Sequence, residues 1–244
     1  MATESPLYSE TEHPIRRAVL FDIDGTLVRA GPLGAEVFDR AIEAVTGRAP
    51  QERVFMSGKT DPQIVREYTD AMELDAATYV PSILARLQHE LAVASTELSR
   101  SGRALPGAAS LLEALAEDER LHLSVLTGNI APNAAVKLAA FGLDKRLDLE
   151  TGAYGSDSED RTDLVPVALG RLASLRGVHL RPDEAWVVGD TPRDFEAAQA
   201  GGARCVLVAT GRFGLAELQR LGPDAALADL SSTDDVVKLL TDDL

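Results

Sequence analysis

Residues 18–28 read AVLFDIDGTLV, and this run decides the reading of the whole chain. Ala18, Val19, Leu20 and Phe21 are consecutive apolar residues, as in a strand covered on both faces. The run ends in two carboxylates, Asp22 and Asp24, followed by Gly25 and Thr26. Burying an unpaired carboxylate is expensive, and a like charge beside it raises the cost. The pair therefore predicts a positive partner that the adjoining sequence lacks. Gly25 allows the sharp turn that sets both acids at the strand end.

The same grammar recurs downstream. Leu121–Leu126, Ala185–Val188, Cys205–Ala209 and, more weakly, Ala225–Leu227 are short apolar runs bounded by turn signals. Helical patterns lie between them: Pro106–Asp118, Ala131–Leu143, Thr162–Gly177 and Pro192–Gly202. The last opens with Pro and closes with Gly, the usual helix asymmetry. Strands alternating with helices predict an α/β fold with a doubly wound parallel sheet. From Val28 to about Leu121 no strand pattern occurs, and Ala35–Thr46, Pro62–Glu73 and Ala77–Ala94 read as helices. This helical insertion is flanked by RAGPLG and SRSGRALPG, both suited to hinges. The expected organisation is a leader over 1–14, a catalytic core of 15–32 and 104–244, and a small inserted α-helical cap over 33–103.

A chain of 244 residues buries a sizeable core without staples. Its net charge of −15 argues against nucleic acid or an anionic membrane as partner. The single cysteine, Cys205, lies in an apolar run and reads as a buried thiol in a reducing compartment. The polar leader lacks a signal pattern and no apolar run is long enough to span a bilayer, so a cytoplasmic location is expected. Oligomeric state is left open.

Two of these strand runs also end in residues that can do chemistry. LSVLTGN ends in Thr127, Gly128 and Asn129, and AWVVGDTPRD ends in Asp190 and Thr191 with Asp194 one helical turn on. In open α/β sheets the crevice beyond the carboxyl ends of the strands binds ligands. If these strands are neighbours, four carboxylates and a hydroxyl converge there. An all-oxygen cluster suits Mg²⁺, which would be the missing positive charge. One Asp can then act as nucleophile and the other as general acid–base. The N–H groups after Thr127 begin a helix and can cradle phosphate oxygens. Arg161 is the candidate cation for a phosphoryl group. Lys137, in AAVKLAAFGL, reads instead as a solvated helix position.

The motifs DIDGT, LTGN and GDTPRD, in this order, resemble the haloacid dehalogenase superfamily, specifically its Mg²⁺-dependent, phosphoglycolate-phosphatase-like members. A D-x-D-G-T match arises by chance in a chain of this length on the order of once in a thousand. The resemblance runs from Val19 to about Ala209 and implies a Rossmann-like core with a helical cap. It makes Asp22 the nucleophile and a metal ligand, and Asp24 the acid–base with its carbonyl on the metal. Thr127 would hydrogen-bond the phosphoryl group, Asp190 would bind Mg²⁺ and Asp194 would support that site. Gly128 and Asn129 would line the phosphate site, and Lys59, in the cap loop SGKTDPQ, would contact substrate. The third motif is usually a Lys; here Arg161 stands in its place, a little close to the following helix. Asp24 disfavours dehalogenation, because dehalogenating members typically lack the second Asp.

The expected function is hydrolysis of a small phosphorylated metabolite through an aspartyl-phosphate. A phosphomutase of the β-phosphoglucomutase type shares these motifs, and product analysis separates the two. A non-catalytic binding protein on the same fold is the third reading, and the intact set of Asp22, Asp24, Thr127 and Asp190 speaks against it. SGKTDPQ resembles the substrate-facing loop of phosphoglycolate-phosphatase-like members, and Asp61, before Pro62, is also a plain helix start; Trp186 reads as core; and the four histidines show no metal-site spacing.

Overall fold

A computed structural model of the chain describes residues 14–242 and 244. The leader expected over 1–14 lies outside them except for residue 14. In chain order the elements are β1 (Arg17–Phe21), β2 (Val28–Arg29), α1 (Leu33–Thr46), α2 (Asp61–Ala71), α3 (Ala76–Val93), α4 (Ser95–Ser101), β3 (Arg103–Ala104), α5 (Ala108–Leu115) and β4 (Leu121–Thr127). They continue with α6 (Ala131–Ala139), β5 (Ala153–Tyr154), α7 (Leu164–Arg176), β6 (Ala185–Gly189), α8 (Pro192–Gly201), β7 (Arg204–Val208), α9 (Leu215–Gln219), β8 (Ala225–Leu227) and α10 (Thr233–Thr241).

The main sheet has the order β5-β4-β1-β6-β7-β8, and its paired strands are all parallel. The fold is therefore α/β with a doubly wound parallel sheet. β1 is buried along its length and lies between β4 and β6, with Val19 paired to both Leu123 and Trp186. Alternate side chains feed two cores. Val19, Phe21, Val125 and Val188 meet Leu111 of α5, Leu138 of α6 and Leu240 of α10 on one face. Leu20, Val187 and Leu207 meet Leu164 and Leu172 of α7 and Ala197 of α8 on the other. Burial on both faces explains why these strands lack polar alternation. Trp186 and Cys205 are core residues.

Helices α1 to α4 share a third cluster built from Val37, Ile42, Val65, Tyr68, Ile83, Leu87 and Leu98. β2 and β3 pair antiparallel, Val28 with Ala104, at the two points where the chain leaves and rejoins the sheet. Thr60 caps α2 by accepting a hydrogen bond from Gln63 N–H, and Asp75 caps α3 through Thr78 N–H. β2, β3 and β5 carry no sequence signature, since two residues are too few to show a period. Among the described residues no helix is long and apolar enough to cross a membrane.

Candidate active site

The strand order places the ends of β4, β1 and β6 side by side, and their loops converge. Asp22 N–H donates to the Val188 carbonyl at 2.8 Å, fastening the first loop to β6. Gly25 sits at φ +90°, and a Cβ there would lie 2.4 Å from Asp190 Oδ2. Only glycine fits this close approach of the two acidic loops. On the β6 side, Asp194 closes a capping box with Thr191: its Oδ2 accepts from Thr191 N–H at 2.9 Å, Thr191 Oγ1 at 2.7 Å and Asp190 N–H at 3.2 Å.

Asp22, Asp190 and Asp194 are buried, with carboxylate oxygens within 4.8 Å of one another. Arg161 is the cation among them. One of its terminal nitrogens lies 2.9 Å from Asp22 Oδ1 and 2.5 Å from Asp194 Oδ1. Arg161 is buried, while the neighbouring acids Asp157, Glu159 and Asp160 respectively pair with Arg171, pair with Arg66 and cap Thr162. Burial pushes the Asp22 carboxyl up to about 6, with Asp194 and Asp24 adding to the rise and Arg161 opposing it. Burial, then the Asp194 and Asp22 charges, raise Asp190 well above the carboxylate range. Three close acids with one arginine leave excess buried negative charge, and their donors are all oxygen. This set fits a hard divalent cation such as Mg²⁺. Both Asp194 oxygens already serve Arg161 and the Thr191 turn, so Asp22 and Asp190 hold the oxygens best placed to ligate.

Two expectations are corrected here. Three carboxylates converge, not four: the Asp24 side chain turns to Lys137 and Asn129. Lys137 is not a solvated helix position either. It is buried on α6, on the face shared with Ala134 and Leu138, and its Nζ donates to Asp24 Oδ2 and Asn129 Oδ1, both at 2.6 Å. Burial works against the Lys137 charge, but Asp24 and Asp61 outweigh it and hold its pKa above the usual value. The three- and four-residue spacing of Ala134, Lys137 and Leu138 carried the signal of a buried face. Asn129 Nδ2 donates to Asp24 Oδ2 at 2.7 Å and Thr127 Oγ1 at 2.9 Å.

Asp61 is more than a helix start. It is buried, its Oδ2 accepts from Ile130 N–H at 2.8 Å, and its own N–H donates to the Gly128 carbonyl at 2.7 Å. Burial raises its pKa to about 6 against the pull of Lys137. Ile130 N–H is thus engaged, as is Ala131 N–H, which donates to Ser156 Oγ at 3.3 Å. The preceding residues are stitched down as well. Arg161 donates to the Gly58 carbonyl at 3.1 Å and Thr60 Oγ1 to the Glu159 carbonyl at 2.8 Å. A Cβ on Gly128 would lie 2.2 Å from the Lys59 carbonyl oxygen, so this backbone contact requires glycine.

A cavity of about 500 Å³ lies between this loop and the strand ends. Asp22, Asp24, Lys59, Thr127, Gly128, Asn129, Arg161 and Asp190 all line it, while Asp194 lies beneath. Lys59 is held by Glu67 and faces the Phe55 ring. Phe38, Met56 and Ile64 form an apolar wall, and Arg29 and Arg212 add positive charge.

Acids at the ends of β1 and β6, a hydroxyl at the end of β4 and a buried cation before α7 define a hydrolase site of one particular family. Residues 19–208 match the haloacid dehalogenase-like hydrolases, and the chain belongs to that family. The phosphoglycolate phosphatase of Rhodospirillum rubrum is 29% identical over 225 residues, covering 90% of both chains. The phosphoglycolate phosphatase of Photorhabdus laumondii is 28% identical over 221 residues, covering 88% of this chain and 89% of its own. Among solved structures, a hydrolase from Pseudomonas syringae superposes with a TM-score of 0.68 at 21% identity, over 91% of this chain and 98% of its own. The chain is a hydrolase of the phosphatase kind.

Proposed function

We propose that the chain is a Mg²⁺-dependent phosphomonoesterase that acts on a small phosphorylated metabolite through an aspartyl-phosphate at Asp22. The observation that carries this reading is the buried Asp22, Asp190 and Asp194 group with Arg161 as its internal cation. Asp22 and Asp190, with the Asp24 backbone carbonyl, would hold the ion, and Asp194 supports it by fixing Arg161 and the Thr191 turn. When bound, Mg²⁺ supplies charge compensation for the phosphoryl oxygens and the carboxylates.

Asp22 attacks phosphorus, and the ester oxygen leaves with a proton from Asp24. Water then attacks the aspartyl-phosphate while Asp24 takes back a proton, releasing phosphate and restoring Asp22. Thr127 and Gly128 position the phosphoryl group. Arg161 offsets its charge and keeps Asp22 aimed by a hydrogen bond from one side. Residues 33–103 form a cap whose loop at Gly58–Asp61 closes the cavity and excludes water, with Lys59 at the substrate's distal part. Phosphoglycolate, the substrate named for two of the relatives, is the first metabolite to try.

The test is release of p-nitrophenol from p-nitrophenyl phosphate with and without Mg²⁺, beside Asp22→Asn. Mg²⁺-dependent turnover that disappears in the variant is expected. Turnover that persists in Asp22→Asn overturns the nucleophile assignment.

A further inference from the structure

Lys137 is a feature of the site that neither the motifs nor the phosphatase chemistry above uses. Lysine is almost never fully buried unless paired, yet this one lies on the inner face of α6 and reaches the cavity. Its geometry is selective. Lys137 Nζ and Asn129 Nδ2 both donate to the same oxygen, Asp24 Oδ2, at 2.6 and 2.7 Å. A carboxylate oxygen offers about two acceptor positions, so these donors fill Oδ2. Lys137 also donates to Asn129 Oδ1 at 2.6 Å, which fixes the amide that makes the second contact. Among the described residues Asp24 Oδ1 carries no hydrogen bond.

We propose that Lys137 is the positioning residue of Asp24: with Asn129 it clamps Oδ2, fixes the carboxyl plane and commits Oδ1 to proton exchange with the leaving oxygen. The inference rests on Asp24 being the acid–base. In the first half-reaction the P–O ester bond breaks as the Asp22 oxygen bonds to phosphorus. The bonding pair stays on the ester oxygen, which receives its proton from Asp24 Oδ1. A carboxyl free to rotate would present either oxygen at varying angles, and orientation of this kind contributes directly to rate. Asp61, the first residue of α2, adds its charge to that of Asp24 in favouring the ammonium.

A purely structural ion pair and a positioning clamp differ in one readout. Proton delivery matters little when phenolate leaves easily and much when it leaves poorly. Single-turnover phosphoryl transfer from p-nitrophenyl phosphate and from phenyl phosphate, with Mg²⁺ present, compares two esters of nearly the same shape. Lys137→Met is expected to slow phenyl phosphate at least about tenfold more than p-nitrophenyl phosphate. Asp24→Asn is expected to show the same bias more steeply, within the 10²–10⁴ range of general acid catalysis. If Lys137→Met does not fold, Lys137→Ala is measured with and without methylammonium. The added cation is then expected to restore phenyl phosphate turnover preferentially. An equal loss on both esters in the Lys137 variants, with a steep bias in Asp24→Asn, overturns the clamp and leaves the acid–base assignment standing. A shallow bias in Asp24→Asn overturns both.

Discussion

Asp190→Asn should make the metal-free protein more stable while it removes activity. Asp190 is buried against Asp22 and Asp194, and Arg161 is shared among all three acids. The scale of the strain can be read from Asp22, whose rise from 3.8 to about 6 corresponds to about 3 kcal/mol at about 1.4 kcal/mol per pKa unit. A carboxyl whose folded pKa is raised stabilises the fold below its unfolded pKa, and that contribution is lost as pH rises through the folded value. At pH 7.5, well above the unfolded pKa, the buried carboxyl without metal therefore costs stability. Asparagine keeps an oxygen to accept from Thr26 Oγ1, which lies 3.3 Å from Asp190 Oδ1. A gain of about 1–3 kcal/mol is expected, and at about 2–4 °C per kcal/mol for a chain of this size the melting temperature in EDTA rises by several degrees. Mg²⁺ should reverse the order. Saturation at a hundredfold over Kd stabilises the wild type by about 2.7 kcal/mol and the variant by much less. Differential scanning calorimetry in EDTA and in Mg²⁺ measures both effects. An Asp190→Asn protein that melts below wild type in EDTA, or gains as much from Mg²⁺, would refute the reasoning.

Other outcomes follow from the same geometry. Arg161→Met strands buried Asp22 and Asp194, and loss of one partner of a buried pair costs about 3–5 kcal/mol; chemical denaturation reads it. Gly128→Ala drives a Cβ into the Lys59 carbonyl, so stability should fall by about 1–3 kcal/mol, the range for overpacking, and KM should rise more than kcat falls. Asp61, raised to about 6 by burial, contributes stability below about pH 4 that is lost as pH passes 6. Asp61→Asn, which keeps the acceptor for Ile130 N–H, should flatten that part of the melting-temperature profile. Burial raises the Cys205 thiol far above its ordinary range, so native protein should resist thiol reagents that label it readily in denaturant.

The legible parts of the site were those written locally. Asp22, Asp24, Thr127 and Asp190 each close an apolar strand, so sequence alone located them and parallel pairing brought their loops together. Arg161 was legible as a residue type but not as a partner, because its contacts to Asp22 and Asp194 cross the sheet. Lys137 as a buried residue, and the contacts Asp61 makes beyond starting α2, were illegible for a related reason. Their partners, Asp24 and Ile130, lie 113 and 69 positions away in the chain. Helical spacing showed that Lys137 shares a face with Ala134 and Leu138, yet a lone lysine among alanines ordinarily points to water. The turn of the Asp24 side chain away from the three-acid group depends on that same lysine.

The central claim is that phosphoryl transfer passes through Asp22. Protein quenched in acid during turnover of p-nitrophenyl phosphate with Mg²⁺ can be treated with borohydride, which reduces an acyl phosphate to the alcohol, and then mapped by peptide mass spectrometry. The expected result is reduction at Asp22 alone, absent when the ester is omitted. Steady turnover with every aspartate unmodified, or modification at another aspartate, would contradict it.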